Sequence, residues 1–294
     1  FDAAWTEAAE ELTMGLQQGR RKSFKRMGKE YERLSAHIGA FPLVMASPAD
    51  SALVTGTGEE RRRFMDQVIS QGDPVYLDAL IRYNRSLQQR NRMLRDHIVD
   101  HGLYEAVEMA MEGAAAYITR ARKAWVDELT GIFGRYYHAV ASPDEVPSLT
   151  LDGHTASGTP LRELLDSARR HDEIVGHTSV GPHRDDLDLR LDGMGVRRTA
   201  SQGQQKTYVL ALRLAQYEFL ARATGLKPLL LLDDVFDKLD ATRVERLVEM
   251  VSSESFGQLF ITDTNRSHLD SIMARAGGDH RSWLVSGGRF EEAQ

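Results

Sequence analysis

Cysteine is absent from the 294 residues, which excludes disulfides and thiolate metal sites and fits a reducing cytoplasm. No apolar run approaches the roughly 20 residues needed to span a bilayer, which argues against a membrane protein. The opening Phe1-Asp2-Ala3-Ala4-Trp5 has neither the basic n-region nor the apolar h-region of a signal peptide. Positive charge is not in excess: a formal net charge of -6 argues against a uniformly basic nucleic-acid coat, although a local patch depends only on where the charge sits. Also missing is a phosphate-binding loop of the form G-x-x-x-x-G-K-[ST], whose glycines let backbone N–H groups wrap phosphates. Gln18-Gly19-Arg20-Arg21-Lys22-Ser23 has the wrong spacing and lacks the first glycine.

The composition, with 41% hydrophobic and 27% charged residues, is that of a soluble globular chain long enough for one large or two ordinary domains. Phe41-Pro42-Leu43-Val44-Met45 reads as a buried strand, broken by Ser47-Pro48-Ala49-Asp50. From about Gly58 to Tyr137 the pattern is helical: one helix opens at Gly58, a second at Pro74, and a third from about Leu103 to Tyr137 is long enough for an arm or hairpin. A strand is expected at Ser148-Leu149-Thr150-Leu151 and a helix near Leu161–Arg170. Beyond these, Asp186–Leu191 alternates polar with apolar as a half-buried strand does, whereas Leu229–Leu232 and Gln258–Thr262 read as strands covered on both faces. The expected fold is an α/β sheet with a mostly helical lobe inserted, divided as 1–50, 51–142 and 143–294.

Four leucines lead into Asp233 and Asp234, placing carboxylates where a buried strand ends and where α/β sheets bind ligands. This is the layout of a Walker B segment: Asp233 is the magnesium candidate and Asp234 the candidate to position an attacking water. Neighbours on a strand face opposite ways, so the two need not share one job. Upstream, Ser201, Gln202, Gly203, Gln204 and Gln205 precede an apolar helix, where unpaired N–H groups and the helix dipole favour phosphate; Ser201 also suits a simple N-cap. Asp240 follows in Lys238-Leu239-Asp240, and Thr262, Asp263 and Thr264 end the neighbouring strand.

Together, Ser201–Gln205, Val180-Gly181-Pro182-His183-Arg184-Asp185-Asp186-Leu187, the Leu-Leu-Asp-Asp strand, Leu239-Asp240 and the junction at Phe41–Asp50 with Glu59–Asp66 resemble the RecF family of ABC-type, SMC-like ATPases. The resemblance covers nearly the whole chain. It implies an ABC-ATPase (P-loop NTPase) lobe, here without its N-terminal part, and a fold in which Ser201–Gln205 form the signature motif and Asp240 the D-loop. Thr262 and Asp263 stand at the switch position, often histidine in ABC ATPases. Asp234 stands where most such enzymes have glutamate, as in RecF-type proteins, which implies slow turnover. The family implies ATP and magnesium as cofactors and an ATP-dependent homodimer whose two subunits share each nucleotide. It implies duplex DNA, RecR and RecO as partners, a cytoplasmic location, and a slow DNA-dependent ATPase in the complete protein. It further implies about 60–75 residues with two or three strands and the P-loop helix upstream of Phe1. This chain alone is then expected to bind ATP poorly and to expose sheet edge.

DNA candidates are Arg20, Arg21, Lys22, Lys25, Arg26 and Lys29 in the stretch 20–33, where seven basic and two acidic residues interleave with Phe24 and Tyr31. A second set, Arg82, Arg85 and Arg92 with Gln89, shares one helical stripe, and Arg61-Arg62-Arg63 form a third. Solvated faces are the competing explanation for each. The competing functions are another ABC-type head, SMC-like or from a transporter, and a non-catalytic scaffold that binds DNA or recruits RecR.

Overall fold

The computed structural model describes residues 10–19, 22–141, 143–236, 239–253, 255–264 and 281–292. In chain order the elements are β1 (Leu12–Gly15), β2 (Ser23–Arg26), β3 (Lys29–Glu30), β4 (Leu43–Ala46), α1 (Ala52–Thr55), α2 (Gly58–Gly72), α3 (Pro74–Arg95), α4 (His101–Val140), β5 (Pro147–Asp152) and α5 (Leu161–Val175). They continue with β6 (Asp186–Leu191), β7 (Met194–Gly195), α6 (Val196–Thr199), α7 (Gln202–Thr224), β8 (Leu229–Asp233), α8 (Ala241–Val251), β9 (Leu259–Thr262), β10 (Trp283–Ser286) and β11 (Arg289–Glu292).

The sheet that carries the carboxylates is parallel, in the order β4-β8-β9. Parallel neighbours need long crossovers, and the helices α1 to α7 with the antiparallel sheet β5-β6-β7 make up the one between β4 and β8. One face of this sheet is buried through Val44, Ala46, Leu230 and Leu232. The other face is more open than four leucines in a row imply: Leu229 and Leu231 are half-buried, and Leu43 and Met45 are 39% and 43% exposed. Leu43 and Met45 line a cleft of about 1080 Å³ with Asp66, Ser70 and Arg213. Two antiparallel sheets, β1-β2-β3 and β5-β6-β7, and the hairpin β10-β11 complete the strands described.

Local chemistry accounts for the helix ends. Asp73 caps α3 by accepting from the N–H groups of Val75 and Tyr76, with Pro74 in the first turn. Asp100 caps α4 through the Leu103 N–H. Only five residues join α3 to α4, so these two pack as a helical hairpin, whereas α4 itself runs unbroken for 40 residues. The long third helix is thus one arm of a hairpin and does not fold back on itself. Its buried positions, among them Tyr104, Val107, Met111, Ile118, Trp125 and Leu129, recur every three or four residues. α7 is buried over most of its circumference and lies against α4 and β4.

Arg122 occupies a place in the buried stripe of α4. Its guanidinium donates to Asp66 at 2.8 Å on α2, to the Tyr76 hydroxyl at 3.0 Å on α3, and to the Pro182 carbonyl and Asp185 at 2.6 and 3.2 Å. Arg90 on α3 makes a second buried junction, to Glu108 on α4, to Asp172 on α5 and to Thr178 just beyond it. Arg61 grips Asp186 with two bonds of 2.7 Å and Arg62 donates to the Asp185 carbonyl, so these two arginines fasten α2 to β6. Of the Arg61-Arg62-Arg63 cluster, Arg61 and Arg62 are thus half-buried and engaged within the chain, and Arg63 is 59% exposed.

Gly181 adopts φ 120°, and a Cβ there would come within 2.5 Å of the Tyr83 hydroxyl, so this backbone can approach α3 only as glycine. His183 follows; its Nδ1 accepts from Tyr83 at 2.7 Å while its Nε2 donates to the Thr178 carbonyl at 3.0 Å. That arrangement is neutral imidazole, and burial pushes its pKa down to about 4. The folded value lies below the unfolded one near 6.5, so the unfolded chain binds a proton the folded chain refuses. Stability should fall as pH drops from about 6.5 to 4, by up to roughly 3 kcal/mol, and denaturant midpoints at pH 7 and pH 5 compared with a His183→Gln variant measure it. Replacing Arg122 by Met should cost about 3–5 kcal/mol in the same assay, because the buried Asp185 loses its counter-charge.

Candidate nucleotide site at the carboxyl edge of the sheet

Parallel pairing brings three strand ends to one edge. Ala46 pairs with Leu232 and Asp233 with Thr262, so Ser47, Asp233, Asp234, Thr262 and Asp263 emerge together. The Thr262 hydroxyl donates to Asp233 Oδ1, which orients the carboxylate at the strand end. β8 stops at Asp233, and Asp234 turns away with φ 50°. The alternation expected of two neighbours on one strand therefore does not apply to this pair. Asp234 is instead held in a left-handed turn by its own N–H, which donates to the Thr262 carbonyl at 3.0 Å. Its carbonyl accepts from Lys206 Nζ at 3.3 Å. A non-glycine residue in that region carries about 1–2 kcal/mol of strain, reduced for Asp.

The start of α7 is a full capping box: Ser201 Oγ accepts from the Gln204 N–H, and Gln204 Oε1 accepts from the Ser201 N–H at 2.8 Å. Gln204 Nε2 donates to Glu145 at 3.1 Å and Gln205 Nε2 to the Ala200 carbonyl at 3.0 Å, so both side chains are engaged within the chain. Ser201 and Gln202 are exposed and Gly203 is half-buried. Helix geometry leaves the Gln202 and Gly203 N–H groups without intrahelical acceptors. Asp240 caps α8 through the Arg243 N–H at 2.9 Å. The Arg243 guanidinium then reaches both Asp240, at 3.2 Å, and the Thr207 hydroxyl, at 2.9 Å. Lys206 and Arg243 thus link the strand-end turn, the first turns of α7 and the cap of α8. Sequence reasoning missed both as linkers, although Lys206 directly follows the glutamine run.

Among the described residues no group of three or more His, Cys, Asp or Glu forms a metal cage. Asp233 with the neighbouring Thr262 hydroxyl offers hard oxygen donors, which fits a magnesium ion that takes one or two carboxylates and completes its shell with phosphate and water. For a nucleotide the fit is partial: strand-end carboxylates and a helix N-terminus are present, and a glycine-rich phosphate loop is not in the sequence.

The basic candidates separate on inspection. Arg20 and Arg21 lie outside the described residues. Lys22, Lys25 and Lys29 are exposed on or beside β2 and β3, whereas Arg26 is ion-paired with Glu10 and stacks over Phe41 at 5.5 Å. On α3, Arg82 pairs with Asp78 at 3.0 Å and Arg92 with Asp96 at 3.7 Å, while Arg85 is exposed.

A parallel sheet with paired carboxylates at its carboxyl edge, a mostly helical crossover, and a capped helix beside that edge define the fold of an ABC-type ATPase head. No family model matches the chain. It is similar to the curated "DNA replication and repair protein RecF" of Bacteroides fragilis strain YCH46, at 46% identity over 295 residues, 100% of this chain and 80% of that protein. The protein of that name from Porphyromonas gingivalis strain W83 is 45% identical over 280 residues, 95% of this chain and 77% of the relative. Among solved structures, the recombination mediator protein RecF with ATP, of the RecFOR pathway, superposes with a TM-score of 0.81 at 25% identity, over 97% of this chain and 77% of that one. An Smc head domain from Pyrococcus furiosus gives a TM-score of 0.51 over 93% of this chain and 68% of that one, which shows a shared fold. The chain belongs to the RecF family.

The strained turn yields a test. Asp234→Gly should leave folding stability within about 0.5 kcal/mol, because glycine accepts φ 50°, whereas Asp234→Ala should cost about 1 kcal/mol. Urea denaturation of the two variants reads the difference, and equal losses would show that the turn is unstrained.

Proposed function

We propose that this chain supplies the Walker B, signature and D-loop parts of an ATP-dependent DNA-binding mediator that works with RecR and RecO to load recombinase at gapped DNA. The observation that carries the reading is the single edge where Asp233, Asp234 and Thr262 meet, tied by Lys206 to the first turn of α7, with Arg243 tying that helix to the Asp240 cap. Residues 1–50 and 143–294 form the ATPase lobe in this reading, and 51–142 the helical lobe.

Bound Mg-ATP supplies the phosphoryl group that is cleaved. Asp233, oriented by Thr262, holds the cation, and Asp234 positions water from its left-handed turn. In a homodimer, the Ser201 hydroxyl, the N–H groups of Gln202 and Gly203, and Asp240 approach the nucleotide of the other subunit. Gln204 and Gln205 shape that turn from behind, since their amides are already engaged. Thr262 and Asp263 sense the terminal phosphate beside Asp233. Asp is shorter than Glu, so water is held less closely and hydrolysis is slow, as suits a switch. DNA lies against Lys22, Lys25, Arg26 and Lys29 with Arg20 and Arg21, and against Arg82, Arg85 and Arg92, through phosphates and without base readout. In this reading, as the family resemblance implies, the protein acts in the cytoplasm.

Anisotropy of labelled duplex DNA with the complete gene product tests this. Binding should tighten at least tenfold with Mg-ATP and lose that gain in Asp233→Ala. A Lys22→Glu, Lys25→Glu, Lys29→Glu variant should lower the slope of log K against log salt by about 0.9 for each phosphate that is no longer neutralised. ATP-independent affinity with an unchanged salt slope would reject the clamp and favour another role for the same fold.

A further inference from the structure

The carboxylate of Glu145 lies between two elements that are far apart in sequence. Its Oε2 accepts from the Tyr137 hydroxyl in the last turn of α4, and its Oε1 accepts from Gln204 Nε2 in the cap of α7 at 3.1 Å. The Glu145 carbonyl accepts from His138 Nε2 at 2.9 Å, so three side chains hold this half-buried residue. A primary amide has one acceptor end and one donor end. Because Glu145 takes the donor end of Gln204, the acceptor end must face the Ser201 N–H, which closes the capping box. Without Glu145 either end could face that N–H, and only one of the two can accept.

The same end of α4 is also grasped from α8. Arg246 donates to the Ala141 and Val140 carbonyls at 3.0 and 3.5 Å, where a helix has carbonyls with no intrahelical partner and favours a cation. α8 is capped by Asp240. The C-terminal turn of α4 therefore meets both elements that the proposed function places against the other subunit's nucleotide: the cap of α7 through Glu145, and the D-loop helix through Arg246. From that turn α4 runs 40 residues, packed along α3 with its exposed Arg85.

We propose that Glu145 is a positioning residue that makes the Ser201–Gln204 cap follow the last turn of α4, so that the helical hairpin regulates closure of the nucleotide site. This rests on the function proposed above. Carboxylate hydrogen bonds are the stronger kind, and two of them on one group resist a shift of either neighbour.

The test uses the complete gene product. In Glu145→Ala, the Mg-ATP concentration for half-maximal dimerisation by sedimentation should rise about tenfold, while binding of a fluorescent ADP to the monomer is unchanged. Glu145→Gln should restore dimerisation, since its oxygen can accept from Gln204 and its amide can donate to the Tyr137 hydroxyl. Tyr137→Phe should weaken dimerisation and add little to Glu145→Ala in a double-mutant cycle. Hydrogen exchange provides a reading without nucleotide: the Gln204 and Gln205 amides should exchange about tenfold faster in Glu145→Ala, with amides from Tyr208 to Leu220 unaffected. Wild-type dimerisation and wild-type exchange in Glu145→Ala would overturn the proposal. If the unaltered protein shows no ATP-dependent dimer, the functional reading fails and regulation of closure fails with it; faster exchange would then leave only a local hold on the cap.

Discussion

Arg122 is the interaction on which the remainder of the structure depends. A guanidinium taken out of water costs several kcal/mol unless its donors are met, and here they reach Asp66 on α2, Tyr76 on α3, and the Pro182 carbonyl and Asp185 in the turn before β6, three separate segments. Each partner is itself constrained: Asp66 also accepts from Tyr76, and Asp185 also accepts from Thr155. The helical hairpin can therefore dock on the β5-β6-β7 side in one register only, because a one-turn slip along α4 would leave both the charge and Asp185 without partners. Hydrophobic packing alone, repeating every three or four residues along α4, does not choose between such registers.

From that junction the order passes along α4 to its C-terminal turn. The carboxyl edge of the sheet is assembled from backbone pairing in the sheet and from cations outside it. Lys206 stabilises the strained turn at Asp234, Arg243 links α7 with the cap of α8, and Arg246 closes the end of α4. These are long side chains crossing between helices, and each satisfies a carbonyl, hydroxyl or carboxylate that would otherwise need water. Rigid support of this kind suits a site whose chemistry depends on placing charge within a fraction of an ångström.

Much of the architecture was legible in the chain itself. The starts of α3 and α7 were readable because Pro74 and Ser201 are local devices, whereas the caps made by Asp73 and Asp240 came only with the structure. The carboxylates at the end of β8 were readable because an apolar run followed by acid has a defined place in a parallel sheet. Arg122 was not, because an arginine in an apolar stripe reads as an interruption until its partners, 46 to 63 residues away, are brought beside it. The partners of Arg61 and Arg62 were hidden for the same reason: a run of three arginines is a basic cluster in sequence, and only the fold supplies Asp186 and the Asp185 carbonyl to engage two of them.

The sequence by itself determined the periodicities, the helix ends, the strand-end carboxylates and the motif order that places the chain in its family, because each depends on neighbours a few positions away. Tertiary structure alone decided that Asp234 leaves its strand in a left-handed turn, that the amides of Gln204 and Gln205 are engaged within the chain, and which basic side chains face solvent. Those outcomes depend on which donor meets which acceptor across long separations, and hydrogen bonds act only at short range. Composition and spacing can count the groups, but the folded chain assigns their partners.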